Sequence, residues 1–153
     1  MSKEQDHIFL KLGDIKGGKA TAKKFEGQIV LQHFSYSIHQ EGDWEKQGES
    51  TSPRMATFGD LCCTKVLDAT SPQLALSCAM KDQYEKAEIA VLAGTSDAYY
   101  KVMLEQVIIS SINNTMSAGE AHPTETVTLK FRKMRWEYGT AKLGFDLEKQ
   151  DKI

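Results

Sequence analysis

A chain of 153 residues fits one domain with one core, residues 1–153. Its composition, 41% hydrophobic and 26% charged, is that of a globular protein, and a formal net charge of -2 with a pI near 6.1 excludes the basic excess of a nucleic-acid binder. No apolar run approaches the roughly 20 residues of a membrane helix, which argues against membrane insertion.

The opening segment, MSKEQDHIFLKL, lacks the long apolar stretch and small-residue cleavage site of a secretory signal. Cys62, Cys63 and Cys78 are odd in number and show no framework spacing. Both observations predict a chain that folds in the cytoplasm and that, if it leaves the cell, does so without a signal peptide.

The first predicted strand is 7–12, followed by a polar, glycine-bearing stretch over 13–24. Residues 26–40 read as a long strand. Phe34, Tyr36 and Ile38 alternate with Ser35, Ser37 and His39, while Ile29 and Leu31 lie on the opposite phase, so a bulge or bend separates the two halves. Residues 41–54, with two glycines and a proline, read as a long loop of the kind that is usually functional or disordered. A strand is predicted over 55–67. Ser71-Pro72 then starts a short helix running to about Tyr84, with Leu74, Ala75, Cys78 and Ala79 as its apolar stripe.

The remainder reads as β. Ala87, Ile89 and Val91 alternate, and a turn is expected over 94–97. Val102 and Leu104 change phase to Val107 and Ile109. Residues 113–122 are rich in turn formers. Val127, Leu129 and Phe131 give way to Met134, Trp136 and Tyr138, and a short run over 142–147 closes the chain. Many strands, repeated phase switches and one helix predict a mainly β fold: two packed sheets forming a β-barrel-like sandwich, with one short α-helix and a long extended loop.

Few segments point to chemistry. Gly13 to Lys19 satisfies G-x-x-x-x-G-K after a strand, but Ala20 replaces the magnesium-binding hydroxyl and no room exists for the following helix, so a plain connection is expected. His7, His33, His39 and His122 are scattered. His33 and His39, six residues apart on one strand, would stand roughly 20 Å apart and cannot share a metal. Adjacent Cys62 and Cys63 point to opposite faces of a strand and read, with Cys78, as small buried hydrophobes. No G-x-S-x-G, H-E-x-x-H or C-x-x-C occurs, so neither catalytic residues, cofactor nor metal are expected. Trp44, inside a polar loop, is either folded back onto its own domain or offered to a partner.

Taken together, several segments resemble the haemolysin-coregulated proteins (Hcp), the tube subunits of type VI secretion systems. They are Phe9-Leu10-Lys11-Leu12-Gly13-Asp14-Ile15-Lys16-Gly17, Phe34-Ser35-Tyr36 with Ile38 and Gln40, and Ser71-Pro72 after Leu67-Asp68. Tyr100, residues 104–111, Pro123-Thr124-Glu125-Thr126-Val127 and Lys133-Met134-Arg135-Trp136 complete the set. Ser37 departs from a glycine common in the family, and Phe34 and Tyr36 stand where tryptophan is common. The resemblance implies a structural, non-enzymatic protein forming homohexameric rings that stack into a tube. The sheath, the baseplate and spike, and effector proteins carried in the lumen would be its partners. It also implies that His33, Ser35, Ser37 and His39, facing away from a Phe34/Tyr36/Ile38 core face, line the lumen, and that the 41–54 loop reaches the next ring through Trp44 and Arg54. The chain ends soon after its last strand, so no fused toxin domain is expected. Two other readings remain at this point: a monomeric small-ligand-binding β-barrel with the Phe34/Tyr36 side open as a pocket, and a hydrolase whose site assembles only in the fold.

Overall fold

The computed structural model describes residues 6–21, 23–40, 55–93 and 97–153. In chain order the strands are β1 (Asp6–Leu12), β2 (Ile29–Leu31), β3 (His33–Ser35), β4 (Ile38–Gln40), β5 (Ala56–Phe58) and β6 (Leu61–Val66). Helix α1 (Ser71–Met80) follows. Then come β7 (Gln83–Ala93), β8 (Ala98–Thr115), β9 (Thr124–Lys130), β10 (Lys133–Tyr138), β11 (Ala141–Asp146) and β12 (Asp151–Lys152).

Ten strands form one sheet that folds over itself, and every pairing is antiparallel. One limb runs β12-β11-β10-β8-β7-β1-β2, and the other leaves the far half of β8 as β8-β9-β6-β3. The chain passes from β2 to β3 at Gln32, whose N–H donates to the Thr64 carbonyl at 2.7 Å. The two limbs thus meet through a continuous backbone rather than a closed ladder, and the result is barrel-like but open. Strands β4 and β5 make a separate two-stranded ribbon.

The phase switches mark where this sheet folds. Buried Leu104 is followed by buried Val107, and buried Phe131 by buried Met134. On β7, buried Ala87 is preceded inwards by half-buried Tyr84. Each strand skips two outward residues at the skip, and the register aligns the skips: Lys86 and Tyr84 pair with Glu105 and Val107, and Lys130 and Lys133 pair with Ile108 and Glu105. One fold line therefore crosses β7, β8 and the β9–β10 junction. Gln106 lies on it in the left-handed region, at φ 58, which turns the other side of β8 inwards. The switch from Leu31 to Phe34 produces the β2–β3 break in the same way. Folding at this line encloses a core that includes Leu10, Ile29, Leu61, Val102, Val107 and Leu129.

Helix α1 is shorter than the sequence predicts. It ends at Met80 because Lys81 takes a left-handed conformation and closes the end with N–H bonds from Lys81 and Asp82 to Cys78 and Ser77 carbonyls; Tyr84 belongs to β7. Its buried positions are Leu74 and Ser77, with Cys78 half-buried, while Ala75 and Ala79 are exposed. The helix leans on the barrel along one narrow line that takes Leu74 and Cys78 of the predicted stripe but not Ala75 or Ala79. Two predicted long strands are interrupted, 26–40 at Gln32 and before Ile38, and 55–67 at Gly59–Asp60. Residues 113–115, expected to turn, continue β8.

Candidate functional site: two unlike outward sheet faces

Cross-strand register decides which side chains share a face. On the β3-β6-β9-β8 limb, three adjacent outward rows are His33–Thr64–Thr126–Asn113, Ser35–Cys62–Thr128–Ser111, and Val66–Thr124–Thr115, and Lys130 with Ile108 continues the face beyond them. None of the eleven positions in the three rows carries a formal charge, with histidine counted neutral. Between them, Phe34, Cys63, Val127 and Ile112 point into the barrel. The outward face of β7-β8-β10-β11 is the opposite case. Its rows are Lys86–Glu105–Lys133–Asp146, Glu88–Met103–Arg135–Gly144 and Ala90–Lys101–Glu137–Lys142. Nine of those twelve positions are charged, and they pair with one another: Arg135 Nε with Glu105 at 3.0 Å and Lys101 with Glu88 at 3.6 Å. One barrel therefore presents a charged surface on one limb and a hydroxyl-rich neutral surface on the other.

A bulge sharpens the neutral face. The β8–β9 register shifts between Ile109 and Ser111, which brings two consecutive serines to one threonine. The Thr128 hydroxyl lies 2.8 Å from Ser110 Oγ and 2.6 Å from Ser111 Oγ, and Ser110 Oγ donates to Asp60 at 2.7 Å. Asp60 is paired in turn with Lys130 at 3.2 Å, so the charge at this end of the face is balanced.

Beneath the face, at its other end, lies a buried polar cluster. Lys65 reaches Glu125 at 2.6 Å, Ser71 Oγ at 3.0 Å and Asp68 at 3.2 Å, and all three charged side chains are at most 3% exposed. Ser71 Oγ donates to Glu125 at 2.7 Å and Asn114 donates at 2.8 Å, while Asp68 takes the Thr70 N–H and hydroxyl. Burial pushes the Glu125 carboxyl up, but the bonds from Lys65, Ser71 and Asn114 and the Lys65 charge outweigh it and hold the group below its ordinary value. The cluster ties the start of α1 to β6, β9 and β8.

The residues singled out from the sequence fall as follows. His33 and Ser35 sit exposed on β3, within the neutral face. Ser37 lies in the β3–β4 link and His39 on β4, both exposed, so the two histidines occupy different strands. Phe34 and Tyr36 pack against the core, and Tyr36 shares a 3.1 Å hydrogen bond with Tyr100. Among the described residues, that side is packed against the core rather than turned to solvent. Ile38 does not continue their face: it is 46% exposed on the β4–β5 ribbon. Trp44 and Arg54 lie outside the described residues.

Cys63 is buried, and burial, with a smaller contribution from Cys62, pushes its thiol up to about 12. Cys62 is half-buried on the neutral face between Ser35 and Thr128 and is not a core residue. The Gly13 to Lys19 tract is a connection: Gly18 N–H donates to the Gly27 carbonyl at 3.0 Å, and among the described residues no α-helix follows before β2. Among the described residues no group of three or more His, Cys, Asp or Glu could hold a metal, and no helix is long and apolar enough to cross a membrane.

The sequence reading missed Cys62, Thr64, Thr126, Thr128, Ser111 and Asn113 as members of this face. A signal was present, since Thr124, Thr126 and Thr128 alternate with inward residues.

The outward side chains of the described strands are thus gathered by register into two sheet faces, one neutral and one charged. Residues 9–138 match the family model described as type VI secretion system effector, Hcp, and the chain belongs to this Hcp family. It is 28% identical to protein hcp1 of Pseudomonas aeruginosa over 134 residues, covering 86% of this chain and 82% of that one. It is 30% identical over 131 residues to the major exported protein of the same species, covering 79% and 74%. The crystal structure of Hcp1 from Salmonella typhimurium superimposes with a TM-score of 0.83 at 25% identity, over 97% of this chain and 99% of that one. A second solved structure, a type six secretion system protein, gives 0.85 at 22% identity, over 96% and 99%, and speaks to the fold alone.

Proposed function

We propose that the chain is a structural subunit of the type VI secretion tube: six copies close into a ring, rings stack, and the neutral β3-β6-β9-β8 face lines the lumen, where effector proteins are carried. The observation that carries this reading is the charge contrast between the two limbs. A sheet face turned to bulk water is ordinarily laced with charge, for solubility and to block edge association. The β7-β8-β10-β11 face follows that pattern, and the neutral face does not. A ring places one limb outside and the other around an enclosed channel, where neither pressure applies.

Head-to-tail contact of unlike patches closes such rings, and β12, the last strand of its limb, is available for pairing between copies. Ring stacking is assigned to the 41–54 loop, with Trp44 and Arg54 as contacts. Its similarity to a protein named for export supports secretion of this chain by the same route. Native mass spectrometry at micromolar concentration tests the assembly: a six-fold mass is expected, and a strictly monomeric species would overturn the reading.

A further inference from the structure

The lumen assignment above leaves open how cargo is held. Resting on it, we infer that this wall retains small folded proteins without regard to their charge, through short-range contact with a preset array of hydroxyls. Three features of the wall point this way.

First, its rows offer hydroxyls, amide, thiol, imidazole and methyl groups and no formal charge; Glu125 lies beneath them against Lys65, and Asp60 at the end is paired with Lys130. A surface without fixed charge neither attracts nor rejects a partner over the ~8–10 Å that screened charges reach. Second, a hydroxyl both donates and accepts, so it meets either kind of polar group on a cargo surface. Third, the hydroxyls are held in place: Ser110 and Ser111 each bond to Thr128, and the β-branched threonines have few rotamers. Little ordering is left to occur on contact. A single wall of this kind binds weakly. Six walls facing one enclosed volume raise the effective concentration of every contact. Retention then depends on size and shape rather than on charge, and a cargo is released once the ring opens.

The test uses assembled rings and one probe in two charge states, cytochrome c and its succinylated form, with co-elution measured at about 50 and about 500 mM NaCl. Wild-type rings should hold both forms to within about threefold of each other, with less than about a threefold change across the salt range. Thr126→Glu rings should favour the basic form, and Thr126→Lys rings the acidic form, each by about tenfold or more at low salt only. Asn113→Asp and Asn113→Lys, at the more exposed end of the same row, serve if a Thr126 variant fails to assemble.

Wild-type rings that hold only one form, lose both at high salt, or hold neither would overturn charge-blind retention while leaving ring formation standing. If all charged variants retain both probes as wild type does, the face does not line the lumen and the assignment itself falls. A chain that forms no ring fails the reading at its base.

Discussion

Replacing Lys65 with methionine tests what fastens helix α1 to the barrel. The side chain is fully buried and faces two carboxylates, Glu125 at 2.6 Å and Asp68 at 3.2 Å. Methionine fills much of the same volume but leaves both acids buried without their cation. Removing one partner of a buried pair costs about 3–5 kcal/mol. The Asn114 and Ser71 bonds to Glu125, and the Thr70 bonds to Asp68, keep the loss near the lower end of that range. At ~2–4 °C per kcal/mol for a chain of this size, the melting midpoint should fall by roughly 6–20 °C.

The pH dependence carries a sign that a loss of packing would not. In the wild type, Glu125 is held below its ordinary 4.5, so its stabilisation is complete above that value and is lost as pH falls through the lower folded-state value. In Lys65→Met, the lowering by the Lys65 bond and charge is lost while burial still raises the carboxyl, so its value moves up and protonation costs the variant less than it costs wild type. Denaturant melts followed by circular dichroism, at one protein concentration, should therefore show a wide gap between the two proteins at pH 7 that narrows below about pH 4.5. A variant within about 1 kcal/mol of wild type at pH 7, or a gap constant with pH, would refute the assignment of Lys65 as the cluster's stabilising cation.

Other expectations can be checked alongside. Ser35→Trp puts a large ring on the neutral face without touching the core, so native mass should stay six-fold while cargo co-elution drops; collapse of the ring would show that the face is assigned backwards. Gln106→Val forces a β-branched residue into the left-handed region at the fold line and should cost about 1–3 kcal/mol in denaturant melts, whereas Gln106→Gly should be tolerated. Deleting part of residues 41–54 should leave the barrel's circular dichroism unchanged and shorten or abolish stacked tubes in electron micrographs; unaltered tubes would count against the stacking role.

Much of the fold was legible along the chain because half-buried strands write their burial in period two. The skips at Leu104–Val107 and Phe131–Met134 also carried the bends, since a strand that changes sheets must change the face it buries. The helix was legible as an element but not in its extent. Its Leu76 and Met80 are 64% and 66% exposed while Leu74 is buried, so apolar character alone does not pick out the face α1 buries. The buried charges could not be read at all. Lys65 and Glu125 are 60 residues apart, and each looks like an ordinary surface residue until β6 and β9 pair and set them side by side.

The candidate surface divides in the same way. His33 and Ser35 were visible because alternation with Phe34 fixes their side of the strand, and local sterics make that alternation independent of the rest of the chain. That the side is neutral across β3, β6, β9 and β8, while the other limb is charged, belongs to no single segment. It arises from register between strands as far apart in sequence as His33 and Thr126, and register is settled only when the core closes and each strand has buried its own apolar face. Local sequence determined which residues turn outwards; tertiary pairing decided which of those stand together as a surface.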